Sequence, residues 1–371
     1  MKIQMDNKGK CYGCAACANI CPQNAIRMQR DEEGFVYPVI DEALCVECGG
    51  CASVCPIEQE VPEAGEDVRY YGFQTTDTQL LRESASGGAF SVLAGMFWKA
   101  GGNLICGAAM DEDKTVRHIC CRSEEELYRL RNSKYVESEA WDGIGEVLRQ
   151  LRQGSKVLFS GTPCQVDGLR QTVEQMSGNL RDNLLLVDIV CNGVGSPAVW
   201  SKYINALEKK EQQKVQSFRF RDKRAEYGRA VSWVLEDGAE RAELLANNCY
   251  SFWYQRGFIT RPSCYQCKYA SLNRPGDITL GDFHGLQDEE FALKRGVSLV
   301  IGNTAKGREF CRQLQKEGLL KEYSGEQVLQ PRLQGPIKKT PLRAIFMKDC
   351  RTLCWEDFMK KYGAIGGSKL R

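Results

Sequence analysis

Histidine is nearly absent: His118 and His284 are the only two in 371 residues, which leaves little room for histidine-based hydrolysis. Net charge is missing as well, since fifty basic side chains stand against forty-eight acidic ones for a formal +2, so nothing global points to nucleic acid or to an anionic membrane surface. The longest apolar stretches, such as Leu184 to Val190, are too short for a bilayer, where about 20 residues are needed. The opening MKIQMDNKGK lacks the apolar core of a signal peptide, and the expected setting is the cytoplasm or at most the periphery of a membrane. Neither G-x-G-x-x-G nor G-x-x-x-x-G-K-[ST] occurs, so neither an ordinary dinucleotide fold nor a P-loop is indicated. Any nucleotide cofactor needs another kind of site.

Cysteine, by contrast, is abundant. Nineteen thiols in a reducing compartment are poor disulfide staples, and a chain this long can build its own cores, so metal or redox chemistry is the better account. Cys11, Cys14, Cys17 and Cys21 follow C-x2-C-x2-C-x3-C with Pro22 next, and Cys45, Cys48, Cys51 and Cys55 repeat the pattern with Pro56 next. The spacing is that of bacterial ferredoxins, in which the fourth cysteine of each run ligates the other cluster. On that rule Cys11, Cys14, Cys17 and Cys55 hold one [4Fe-4S] cluster, and Cys45, Cys48, Cys51 and Cys21 hold the second. Small residues such as Gly13, Ala15, Gly49 and Gly50 admit backbone close to the sulfides. Zinc is the alternative, but it prefers ligands in two pairs. GFVYPVID between the runs reads as a strand, and the α+β ferredoxin-like dicluster domain is expected to span 1–62, with a linker at 63–67.

The rest alternates apolar strands with helical periodicity, the pattern of an α/β body. Ser86 is placed as N-cap of the helix in AFSVLAGMFWKA, and Gly87 and Gly88 permit close approach at a helix start, where backbone N–H groups attract phosphate. KVLFSGTPCQVDGLRQTV and NLLLVDIVCNGVGSPAVWSKYI each read strand, loop, helix, with Cys164 and Cys191 in the loops and Ser196 and Pro197 as cap and first helical residue. If the two strands are parallel neighbours, both cysteines lie at the sheet's carboxyl edge, where open α/β proteins bind ligands. Cys264 and Cys267 add a C-x2-C pair, and the resulting quartet fits either a third [4Fe-4S] cluster or a structural zinc. Cys106, Cys120, Cys121, Cys249 and Cys311 read as inert core thiols, and Cys350 and Cys354 as a pair on one tail helix. SFRFRDKR alternates as an amphipathic strand whose Arg219 and Arg221 form a solvated basic face or meet an anion.

Six stretches in order, SASGGAFSVLA, RNSKYVES, KVLFSGTPCQVDGL, VDIVCNGVGSP, SCYQCKYA and DITLGDFHG, resemble the coenzyme F420 hydrogenase/dehydrogenase beta-subunit family over roughly residues 68 to 317. The resemblance implies an α/β flavoprotein body, divided into family regions at 68–150 and 151–320 before a tail at 321–371. It implies bound FAD and an iron-sulfur cluster, exchanging electrons with a deazaflavin or another hydride-accepting substrate, beside a redox partner or within a larger complex. It assigns Cys164, Cys191, Cys264 and Cys267 to the cluster, and Ser86, Gly87, Gly88, Ser133, Lys134 and Tyr135 to the flavin or substrate pocket. No catalytic residue is assigned, although Lys134 or Arg219 could meet an anionic flavin or a phosphate. Asn192, Gly195 and His284 depart from the family's usual histidine, proline and tryptophan, which puts the identity of the electron acceptor in doubt. An electron carrier without substrate chemistry is the alternative function.

Overall fold

The computed structural model describes residue 3 and residues 8–224 and 229–363. The N-terminal module is a hairpin of β1 (Ile26–Arg30) and β2 (Val36–Ile40), with a short helix after each cysteine loop, Ala16–Ile20 and Gly50–Ser53. Each helix is entered through a left-handed residue, Ala15 at φ 63° and Gly49 at φ 78°, which turns the chain back on itself within one cysteine repeat. The segment leading to the body is tied down by Ala64, whose N–H donates to Asn273 Oδ1 at 3.0 Å.

The body's strands are β3 (Arg69–Thr75), β4 (Leu104–Met110), β5 (Val116–Cys121), β6 (Val157–Gly161), β7 (Leu184–Ile189), β8 (Val215–Asp222), β9 (Ala230–Leu235), β10 (Glu240–Leu244), β11 (Ile278–Asp282), β12 (Ser298–Gly302) and β13 (Gly318–Tyr323). Eight of them form one sheet in the order β13-β3-β12-β11-β7-β6-β4-β5, and β8, β9 and β10 form a separate antiparallel sheet. Only the centre, β4, β6, β7 and β11, is parallel; β5 on one side and β12, β3 and β13 on the other pair antiparallel. The sheet interleaves residues from either side of position 150 and continues through β13 past residue 320.

Both faces of the centre are covered, so its strands read as unbroken apolar runs. Leu158, Leu185 and Val187 face helix Ala89–Lys99, while Val157, Phe159, Leu184 and Leu186 face helices Trp141–Arg152 and Pro163–Glu174. Each such side chain contributes about 1.5–3 kcal/mol by leaving water. The carboxyl end of the parallel centre is fixed by caps. Thr162 and Gln165 form a reciprocal capping box before Pro163, and Ser196 accepts from Val199 N–H before Pro197.

Two expectations need correction. Gly88, left-handed at φ 85°, is the N-cap of helix Ala89–Lys99, whereas the Ser86 hydroxyl donates to the Val297 carbonyl at 2.5 Å. Cys350 and Cys354 do not share a helix: Cys350 lies in Arg343–Thr352, and Cys354 caps Trp355–Tyr362. The tail is a packed part of the body, because Phe346 and Phe358 join Trp253 and Trp200 in the largest aromatic cluster.

Candidate functional site

The ferredoxin cysteines gather in two groups, and each fourth cysteine stands with the other run's first three. Cys14 lies within electrostatic reach of Cys17, Cys55 and Cys11; burial pushes its thiol well up, and those neighbours push it further. Cys21, Cys45, Cys48 and Cys51 line one cavity. Soft thiolates so arranged suit iron-sulfur ligation.

A second gathering lies where the module meets the body. β6 and β7 are parallel neighbours, with Val157 opposite Leu184, so Cys164 and Cys191 leave the same edge of the sheet. The short helical turn Pro262–Gln266 brings Cys264 and Cys267 to them, and all four line one cavity with Tyr12, Glu137 and Ile337. The Cys191 thiol is pushed up to about 12, first by burial and then by Cys267, against a 3.3 Å bond from Gly193 N–H and the charge of Arg274. Among the described residues no three His, Cys, Asp or Glu side chains converge on a single-ion position.

Two buried ion pairs flank this quartet. Arg261, fully buried, pairs with Glu137, donates from Nε to the Cys11 carbonyl at 2.8 Å and from a terminal nitrogen to the Val36 carbonyl at 2.9 Å. Arg274 donates to Asp188 Oδ1 at 2.5 Å and to the Ile189 carbonyl at 2.6 Å. Burial raises both carboxyls and the arginines oppose it. Tyr12, next to Cys11 in sequence, reaches over the quartet and meets the Tyr269 ring at 5.6 Å between centroids.

Beyond the quartet opens a cleft of about 700 Å³, within the range of cofactor sites. Ser86, Gly88, Ser133, Lys134, Tyr135, Asn192 and His284 all line it. Gly87 does not share that wall: a Cβ there would fall 1.9 Å from the Phe73 carbonyl oxygen, so this glycine is required by contact with β3. Lys134 is already engaged with the carbonyls of Arg129 at 3.1 Å and Arg131 at 2.7 Å, and burial pushes its amine down to about 7. Arg221, rather than Arg219, lines the cleft, paired with Asp282.

His118 lies in the cleft wall, stacked on Phe159 at 5.1 Å. Its Nε2 faces the Ser160 carbonyl at 3.2 Å, which requires the proton on Nε2 and leaves Nδ1 to accept from Ser138 Oγ at 3.1 Å. Gln165 donates to Ser138 Oγ at 3.1 Å and accepts from Thr162 at 2.9 Å, extending the chain toward Cys164, whose sulfur is 3.2 Å from Thr162 Oγ1. Thr162, Gln165, Cys191, Asn192, Gly193 and Val194 line both the quartet cavity and the cleft. One loop and one cap therefore separate the two spaces.

Residues 10–58 match the model of the 4Fe-4S dicluster domain. Residues 154–327 match that of the C terminus of the coenzyme F420 hydrogenase/dehydrogenase beta subunit. Over this segment, just under half of its length, the chain is similar to that beta-subunit family. The F420 hydrogenase/dehydrogenase segment contains the whole cysteine quartet, while Ser86 through Tyr135 and the tail beyond residue 327 lie outside both matches. Together the two matches make the chain an iron-sulfur, oxidoreductase-like protein of F420 hydrogenase/dehydrogenase beta-subunit kinship. No curated protein matches it. Among solved structures, a chain of the F420-reducing [NiFe] hydrogenase complex from Methanosarcina barkeri aligns with 17% identity over 79% of this chain and 90% of its own, at a TM-score of 0.48.

Of the residues around the quartet, Tyr12, Glu137, Asp188, Arg261 and Arg274 escaped sequence reasoning. Glu137 sits inside RNSKYVES and Arg274 directly after SCYQCKYASLN, so proximity to motifs was the available signal.

Proposed function

We propose that the chain is an iron-sulfur flavoprotein oxidoreductase. In this reading Cys11, Cys14, Cys17 and Cys55 hold one [4Fe-4S] cluster, and Cys21, Cys45, Cys48 and Cys51 a second. Cys164, Cys191, Cys264 and Cys267 hold a third, and the cleft takes FAD together with a hydride-accepting substrate. The observation that carries it is the partition shared by the quartet cavity and the cleft, with Tyr12 reaching the quartet from the first cluster loop. A cube is preferred to zinc for the quartet because the same chain already carries two ferredoxin-type cysteine runs.

The cleft fits a flavin in its size and in its mixed wall, where Tyr135 stacked on Tyr254 at 4.6 Å stands beside the Arg221–Asp282 pair. A flavin bound there would supply the exchange between single electrons and electron pairs. The chain's own part is to hold the partition. Tyr254 donates to the Gly193 carbonyl at 2.9 Å, and the Thr162–Gln165 box fixes the other half. His118, neutral at physiological pH, contributes a fixed dipole.

Anaerobic purification with iron, zinc and flavin analysis tests this reading. About twelve irons are expected, with four to each cube, together with FAD released on denaturation. Cys264→Ser with Cys267→Ser should lower iron to about eight while leaving the ferredoxin clusters intact. Stoichiometric zinc would overturn the third cluster, and an absence of flavin would reduce the chain to an electron carrier.

A further inference from the structure

Three of the four quartet sulfurs lean on the main chain. Cys191 accepts from Gly193 N–H at 3.3 Å, Cys264 from Val194 N–H, and Cys267 from the N–H groups of Tyr269 and Ala270. Such donors are set by the backbone and do not depend on which side chain stands there. Cys164 differs, because its sulfur lies 3.2 Å from the Thr162 hydroxyl. A sulfur bound to iron carries no proton, so on this contact the hydroxyl has to donate.

That hydroxyl has one proton and two acceptors within reach. Besides the sulfur, Gln165 Oε1 lies 2.9 Å away. Gln165 does not depend on the hydroxyl. Its Oε1 already accepts from Thr162 N–H at 3.0 Å, while Nε2 donates to the Ser138 carbonyl at 3.2 Å and to Ser138 Oγ at 3.1 Å. An N–H at one end and a carbonyl at the other give the carboxamide a single orientation. The hydroxyl proton can therefore turn from Gln165 to Cys164 and leave no buried atom unpaired. An electron added to a cluster spreads negative charge over its sulfurs, so a bond donated to sulfur is stronger after reduction than before. Such a bond raises the reduction potential.

We propose that Thr162 is a positioning residue for electron transfer: its hydroxyl, donated to Cys164, sets the reduction potential of the group held by the quartet, and Gln165 Oε1 competes for the same proton and holds that potential down. One electron passes between a ferredoxin-type cluster of this chain and the quartet; the donor is oxidised by one electron as the acceptor is reduced by one. Thr162 keeps its proton throughout, which only turns about the Cβ–Oγ1 bond, and no covalent bond is made or broken. The proposal rests on the third cluster of the proposed function, but not on the flavin.

The test uses the full chain, anaerobically purified with its clusters and titrated with dithionite while electron paramagnetic resonance is recorded. The quartet's signal is the one that Cys264→Ser with Cys267→Ser removes. Thr162→Val keeps the branched shape and loses the hydroxyl. The quartet should then be about tenfold harder to reduce, a fall of about 59 mV for one electron, with the ferredoxin signals at their parent potentials. Thr162→Ser should restore the parent value. Gln165→Met removes the competing acceptor and should move the quartet potential the other way, upward. A merely structural role for the cap would give neither the recovery by serine nor the two opposite signs. An unchanged quartet potential in Thr162→Val, or no rise in Gln165→Met, would overturn the proposal. If Thr162→Val fails to load the quartet, the sign of the Gln165→Met shift decides. A parent protein with about eight irons and no signal lost in the cysteine double variant would overturn the third cluster, and this proposal with it. A third signal whose potential ignores Thr162 would overturn this proposal alone.

Discussion

His118 is caught between Ser160 and Ser138 with its ring against Phe159, and burial pushes its pKa down to about 4 from 6.5. The unfolded chain takes up this proton near pH 6.5, but the folded one only near pH 4. Its contribution is therefore complete above about pH 6.5 and is lost as pH falls toward 4, by about 3 kcal/mol in all. Urea unfolding of the parent and of His118→Gln at pH 7 and pH 4.5 should show a smaller acid loss in the variant. Equal losses would mean that the ring titrates normally. Glu137 is the second single residue on which much depends. Glu137→Gln leaves Arg261 buried without its counter-charge and should cost about 3–5 kcal/mol, whereas replacing both by Met should cost less. Thermal denaturation of the two variants checks the order. Neither dependence was legible in the sequence. The cysteines announce themselves through local spacing, but Arg261 and Glu137 are 124 residues apart and meet only through the fold.

At the level of elements, legibility followed the range of the forces. β6 and β7 with their caps could be read because an apolar run, a Thr or Ser and a Pro lie within a few residues of one another. The antiparallel flank beyond β11 could not, because β3 finds β12 and β13 across more than two hundred residues. Gly87 shows how a correct residue can carry the wrong reason. The motif drew attention to it as a pocket residue, yet its hydrogen faces the backbone of β3. Gly87→Ala should accordingly destabilise the chain by about 3 kcal/mol or more and leave it poorly soluble. Gly88→Ala should be milder, since its limit is a left-handed φ of 85° with side-chain atoms nearby rather than a carbonyl. Comparing the melting temperatures of the two variants tests that ranking.

On the scale of the whole molecule, the tail joins parts that are far apart in the chain. Arg343 donates to Glu33 and Arg351 to Glu32 in the hairpin turn between β1 and β2, and Ile337 lies against the quartet cavity. Ending the chain at residue 335 should release the hairpin and open that cavity. Limited proteolysis should then cut within 59–67 about tenfold faster than in the full chain, because cleavage tracks the population of the opened state. An unchanged cleavage rate would assign the tail to the aromatic cluster alone.

The partition made by Thr162, Gln165 and Cys191 to Val194 bears on timing. Its two halves are held by a reciprocal cap and by the Tyr254 bond to Gly193. In the proposed function, a partition so held would give charge crossing it one characteristic time. On that proposal, pace would be set at the two mouths, by what arrives and how soon it leaves.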